Sequence, residues 1–364
     1  GNSGVNILRG GGGGDQLRGG SGDDMLFGQA GMDRLEGGAG DDFLEGGADG
    51  DVLIGGQGSD SINYADDTAN LDIRLFNGSA SGGSATGDSY SQVENVFGGS
   101  GDDYLAGNSA ANMLRGRGGD DVLIGGSADD MLEGGTGADV MDGGAGTGDT
   151  ASYMFSALGV NVRLFNNSAA NGDAAGDVIS NFENLIGSMA NDYLAGDDVA
   201  NELTGLAGND QVRGGGGDDV LRGGDGVDFY LGAGGADWNV FDTALGFVDN
   251  ISGFSIADAD RVVLDDAIFD ALATFGTVLG TQLSSSEFVV GAAATTANHR
   301  IIYNDLAGGL FYDPDGTGAM ALDAVRQHHG GPGAYQCRVP GDLILGWRRS
   351  AKAVMLLRER DRRR

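Results

Sequence analysis

The chain has 364 residues, of which 72 are glycine, three proline and one cysteine, and its formal net charge is −33. Glycine averages roughly 7 % in globular proteins, so this composition describes a repeat-built chain and not an ordinary domain. Such acidity argues against nucleic acid and anionic membranes as partners. A lone cysteine excludes an internal disulfide, and no apolar run approaches the roughly 20 residues that span a bilayer.

From the first residue the chain repeats a nine-residue phrase. Residues 10–63 read GGGGGDQLR, GGSGDDMLF, GQAGMDRLE, GGAGDDFLE, GGADGDVLI and GGQGSDSIN. Asp holds position six (Asp15, Asp24, Asp33, Asp42, Asp51, Asp60) and an aliphatic residue holds position eight (Leu17, Leu26, Leu35, Leu44, Leu53, Ile62). Residues 1–9 form a further unit with Asn6 in the aspartate slot. Position eight predicts a strand of two to three residues with one side chain inward, and the glycines predict turns of positive φ. Two units then carry the chain once around a flattened coil, and residues eighteen apart stack. Asp15, Asp33 and Asp51 fall in one column, with Asn6, Asp24, Asp42 and Asp60 opposite. Stacked carboxylates repel, and Arg9, Arg18 and Arg34 are the only cations before Arg74. A hard divalent cation, held by carboxylates and by inward carbonyls, would remove the repulsion. Disorder of a Gly/Asp-rich segment does not require this phasing, and collagen would need proline and a three-residue period.

After an insert at residues 64–97 the phrase resumes in a second array, 98–151, with Asp103, Asn112, Asp121, Asp130 and Asp139 at position six. A second insert, 152–186, precedes a third array, 187–240, with Asp192, Asn201, Asp210, Asp219, Asp228 and Asp237. Insert and array are a tandem duplication at an offset of 89: NLDIRLFNGSA matches GVNVRLFNNSA, and Asn112 falls on Asn201. Within each insert the alternation Leu71, Ile73, Leu75 (Val160, Val162, Leu164) predicts a strand with one buried face. Each insert is expected to be a hairpin-like excursion that leaves the coil, rejoins it and bends its axis. Arg74 and Arg163 fall on the outward face. They are expected to pair with nearby carboxylates, a ligand site being the alternative. Glu94 and Glu183 are read as structural turn residues.

The phrase GGxGxDxUx resembles that of RTX, or hemolysin-type, calcium-binding proteins over residues 1–324. The resemblance implies an all-β fold: a calcium-stabilised parallel β-roll in three arrays, separated by two β-hairpin-like inserts and closed by a C-terminal β cap. It implies Ca2+ at the fifteen aspartates named above, with about 4–5 ions per array. Asn6, Asn112 and Asn201 should be weaker sites, and Asn239 stands in an apolar slot. Residues 241–324 resemble the family's capping and secretion domain, ending in a YDxDGxG phrase whose Asp313 and Asp315 are further weak ligands. By resemblance the chain passes unfolded through type I secretion machinery of a Gram-negative bacterium and folds outside on meeting calcium. That makes it an extracellular folding and export module of a larger exoprotein. A stand-alone surface or matrix adhesin is the alternative, and then a cell-surface contact becomes the partner.

The chain starts in mid-phase without Met and is read as the C-terminal part of something longer. Residues 325–364 change character: they hold ten of the 21 Lys and Arg, the only cysteine, and two of three histidines. A reading-frame error, leaving a disordered basic tail, accounts for this better than an evolved basic segment does; a shifted frame can be back-translated into an apolar peptide followed at once by a stop codon. No HExxH helix or GxSxG elbow occurs, so no enzyme is expected, and any catalytic domain would lie upstream of Gly1.

Overall fold

In the computed structural model the apolar residue of each repeat is the inward point of a strand, and the strands stack into a parallel β-solenoid of about 13 turns, with almost no helix among the described residues. The structure describes residues 1–241, 249–252 and 258–265, together with short strands at Phe288–Val290, Ile301–Asn304, Gly309–Tyr312, Cys337–Arg338, Gly346–Arg348 and Lys352–Leu356. It divides into two compact units, Gly1–Ser156 with Asn166–Asn184, and Ala157–Phe165 with Leu185–Arg364. The division passes through the second insert.

In the first unit odd repeats build one sheet and even repeats the other. Ile7–Gly12, Met25–Ala30, Phe43–Ala48 and Ser61–Asn63 pair parallel in one, and Gln16–Ser21, Arg34–Ala39 and Val52–Gln57 in the other. The register is eighteen residues, Leu26 beside Leu8 and Leu44. Leu26, Leu35, Leu44 and Ile62 have no exposed surface; burial of each such side chain contributes about 1.5–3 kcal/mol. The strands are longer than the sequence predicts: each typical repeat strand has six residues and runs on into the next unit's glycines. Pairing skips the first glycine and resumes at the second, so that Arg9 faces Phe27 and Gly11 faces Gln29 while Gly10 and Gly28 are passed over. The second glycine carries the positive φ, 118° at Gly20, and where Gln29 stands instead it takes the same conformation at 84°.

The first insert does not leave the coil. Asp72–Arg74 and Ser79–Ser81 form an antiparallel pair, Ser79–Ser81 is bridged to Ser89–Ser91, and Ser89–Ser91 lies parallel to Val52–Gln57. Asp72–Arg74 in turn pairs parallel with Tyr104–Ala106. The hairpin is therefore spliced into the sheet as two extra strands. It can be accommodated there because Leu71, Ile73 and Tyr90 still supply buried side chains.

The second unit repeats the pattern. Asn161–Arg163, Tyr193–Ala195, Gln211–Gly216, Phe229–Gly234 and Asn250–Ser252 pair in sequence, all parallel. Glu202–Ala207, Val220–Asp225, Trp238–Phe241 and Arg261–Asp265 form the other sheet. Asn239 is buried in its apolar slot. Asp313 and Asp315 lie outside the described residues, as does most of the expected cap and tail. Within 325–364 only three short strands are described, of which Lys352–Leu356 runs antiparallel to Arg261–Asp265.

Candidate metal centres

The stacked aspartates form ladders. The backbone N–H of one position-six residue donates to the side chain of the residue one turn on: Asp15 to Asp33 Oδ1 (2.7 Å), Asp33 to Asp51 (2.8 Å), Asp24 to Asp42 (2.8 Å) and Asp42 to Asp60 (2.8 Å). The same bond joins Asp103, Asp121 and Asp139, and in the second unit Asp192, Asp210 and Asp228. One oxygen of each accepting carboxylate is thus used by the fold, Asp15 at the head of its column being a donor only.

The other oxygen is not. Every aspartate named from the repeats except Asp103 and Asp192 holds a buried Oδ2 without a hydrogen-bond partner. Buried polar atoms are rarely left so, and a whole row of them needs a ligand. The surroundings fit one. A methyl group placed on Gly10 would meet Asp15 Oδ2 at 2.7 Å and the Gly28 carbonyl oxygen at 2.8 Å; on Gly28 it would meet Asp33 Oδ2 and the Gly46 carbonyl, both at 2.5 Å. The same convergence occurs at Gly19, Gly116, Gly125 and Gly205. The first glycine of the phrase is there for space, because its missing Cβ leaves room where a carboxylate oxygen and a carbonyl of the next turn point together. No place among the described residues gathers three or more His, Cys, Asp or Glu side chains. A cation would therefore be held by carboxylate and main-chain oxygens, the donor set of calcium. Bound there, it would neutralise the column.

Without that neutralisation several of these carboxyls are harder to ionise. Burial pushes Asp60 up to about 7 and Asp121, Asp210 and Asp219 up to about 8; neighbouring carboxylates add to this and backbone donors oppose it. Asp51, Asp130, Asp139, Asp228 and Asp237 rise to about 6, again chiefly through burial.

Where an array begins or an insert enters, the protein's own groups take up the ladder's spare hydrogen-bonding positions. Asp88 continues the first column by accepting from Asp51 N–H at 2.7 Å, but its Oδ2 accepts from the Tyr64 hydroxyl at 2.5 Å. In the copy, Asp177 accepts from Asp139 N–H and from the Tyr153 hydroxyl at 3.0 Å. Burial drives both hydroxyls well above their ordinary pKa, so they stay donors. Asp103 Oδ2 accepts from Gly99 N–H and Asp192 Oδ2 from Ser188 N–H. Asn6, Asn112 and Asn201 accept from the N–H four residues back, at Asn2, Asn108 and Asp197. Glu94 and Glu183 stand in the position-six slot, accepting from Asp60 and Asp149 N–H at 2.9 and 3.0 Å. Leu71 and Val160 occupy the same slot with no side-chain acceptor to offer, and donate to Asp103 and Asp192.

Counting in nines misses Asp88, Asp149, Asp177, Asp249 and Asp260, all of which accept ladder bonds. The signal that finds four of them is local: Asp88, Asp149, Asp177 and Asp249 stand two residues before the buried Tyr90, Ala151, Ile179 and Ile251. Asp249 also keeps an unpartnered Oδ2, and burial raises it to about 8.

Comparison with known families agrees with the geometry. The model for the RTX calcium-binding nonapeptide repeat (four copies) matches residues 1–31, 27–62, 97–132, 115–148, 186–221 and 204–238. No curated protein matches the chain.

Proposed function

Since this chain belongs, through its repeats between residues 1 and 238, to the RTX calcium-binding family, and such repeats bind calcium, we propose that it is an extracellular folding module that is exported unfolded and assembled by calcium. The observation that carries this reading is the row of buried, unpartnered Oδ2 atoms. In a cell, calcium is too scarce to fill sites of the extracellular class, whose dissociation constants lie around 10⁻⁴–10⁻³ M. The columns then repel, and a chain of net charge −33 stays expanded and threadable. Outside, each ion joins two turns, so filling is cooperative and inseparable from folding. One ion for each orphaned Oδ2 would load the first array more heavily than the second, instead of an even 4–5 (roughly) in each.

The test is export of the full chain through a type I channel while internal calcium is raised with an ionophore. Export should fall as internal calcium reaches about millimolar, because a folded roll cannot thread. Undiminished export of chain that is already folded inside would overturn the reading.

A further inference from the structure

The 89-residue duplication supplies an internal control, because equivalent positions on the outward face of one sheet have diverged. In the first copy Arg74 makes a two-pronged contact with Asp72, Nε to Oδ1 at 2.7 Å and Nη2 to Oδ2 at 2.8 Å, and its guanidinium lies 4.9 Å from the centre of the Tyr104 ring. This is the carboxylate partner expected from the sequence. In the second copy Asn161 replaces Asp72, and Arg163 keeps the stack on Tyr193 at 4.8 Å without the carboxylate. Its Nε is buried and has no acceptor. On the next strand Ile124 has become Arg213, which approaches the same ring to 5.0 Å and also holds a buried Nε without an acceptor. Beside it Val122 has become Gln211, and Asp142 has become Leu231.

Strand register places these residues together. Asn161 neighbours Tyr193 and Tyr193 neighbours Gln211; Arg163 neighbours Ala195 and Ala195 neighbours Arg213. The two arginines therefore spring from backbones two strand spacings apart, about 9–10 Å, and both guanidiniums lie against the Tyr193 ring. Two carboxylates have gone from this face and one cation has arrived, in a chain that is otherwise strongly acidic. Guanidinium forks match carboxylate and sulfate oxygens. Gln211 Oε1 accepts from Arg213 Nη2 at 3.4 Å. This leaves Gln211 Nε2 as a donor beside the Asn161 amide, which both donates and accepts, and these groups suit hydroxyls. The chain's overall charge does not oppose a local contact, because at about 0.1 M salt its field is screened beyond about 10 Å.

We propose that Asn161, Arg163, Tyr193, Gln211 and Arg213 form a binding site for an acidic saccharide, whose carboxylate or sulfate groups meet the two arginines and whose hydroxyls meet the two amides. The site is separate from the calcium columns, which lie inside the coil.

The experiment uses the full chain in buffered, saturating calcium, with its β signal checked by circular dichroism, and titrates a glucuronate-containing oligosaccharide calorimetrically. A neutral glucose oligosaccharide and a single-stranded oligonucleotide serve as comparisons. Arg213→Ile and Asn161→Asp install residues that the first copy already carries in the same fold, so both variants should fold. Each should weaken binding about tenfold or more. The converse triple change Asp72→Asn, Val122→Gln and Ile124→Arg should raise the stoichiometry from one site to two. The proposal fails if the acidic saccharide does not bind below about 10 mM. It fails equally if both reversions bind with unchanged affinity, as they would were the saccharide bridged by calcium, or if the oligonucleotide binds more tightly.

Discussion

The arrays and the junctions between them are built on one ladder, yet they treat the second carboxylate oxygen in opposite ways. Within the arrays Asp33, Asp42, Asp130 and Asp219 leave Oδ2 buried and unpartnered. At the junctions a tyrosine hydroxyl or a backbone N–H occupies that oxygen, as at Asp88, Asp177, Asp103 and Asp192. The difference teaches that the fold of a turn and its need for a cation are separable. A junction turn is complete with protein atoms alone; an array turn is complete only with a ligand. Ions should then enter array by array, with the junctions as boundaries that stay closed without metal.

The largest way to break that contrast is to fill the space kept for the ion. Gly28→Ala would place a methyl group against Asp33 Oδ2 and the Gly46 carbonyl. The calcium midpoint of folding should rise at least about tenfold, since crowding and a lost charge-neutralising site each cost over 1 kcal/mol. A midpoint unchanged in a calcium titration would show that the cradle holds nothing.

Acidity should separate the two regions next. Unfolded aspartates titrate near 3.9, while Asp60, Asp121, Asp210 and Asp219 in the metal-free fold titrate at about 7 to 8. A raised folded pKa contributes stability that is fully present below about pH 4 and is lost as the pH climbs to 8. In chelator the chain should therefore show more β structure at pH 4 than at pH 8. With calcium the sense reverses, because metal binding requires the ionised carboxylate, and the calcium midpoint should fall between pH 5 and 8. Circular dichroism at both pH values, with and without chelator, checks the sign.

Tyr64→Phe converts a junction into something like an array turn. It strips the hydroxyl from Asp88 Oδ2 and should cost about 1–3 kcal/mol in calcium, read from urea unfolding. The smallest effect is expected from Asn112→Asp. Asn108 N–H keeps Oδ1 occupied, while the oxygen that replaces Nδ2 loses one donor bond to the Glu94 carbonyl, worth about 1 kcal/mol, so the calcium midpoint should shift by no more than about fivefold.

Much of this was legible in the sequence. The eighteen-residue register, the inward Leu26–Leu44 column and the array aspartates follow from a strict period, because a solenoid repeats its environment each turn. The inserts were legible only in their first strand, where Leu71 and Ile73 are buried as their alternation predicts. Ser79–Ser81 has no apolar alternation, and its place in the sheet is set by the antiparallel neighbours on either side of it. Asp88 and Asp177 were hidden because the nine-residue count breaks before them, although the aspartate-then-inward-residue spacing survives. Asp103 and Asp192 look like any other repeat aspartate in sequence. Only the backbone of the turn, which brings Gly99 and Ser188 N–H to them, sets them apart. Arg163 was expected to find a carboxylate as Arg74 does, and the single change from Asp72 to Asn161 removed it.

The central claim is that the array carboxylates need calcium to remain stacked, and far-UV circular dichroism of the full chain in chelator at pH 8 tests it most directly. The account predicts little β signal until calcium reaches about millimolar, then a cooperative rise that magnesium does not reproduce. A full β spectrum in chelator, unaltered by calcium, would contradict it.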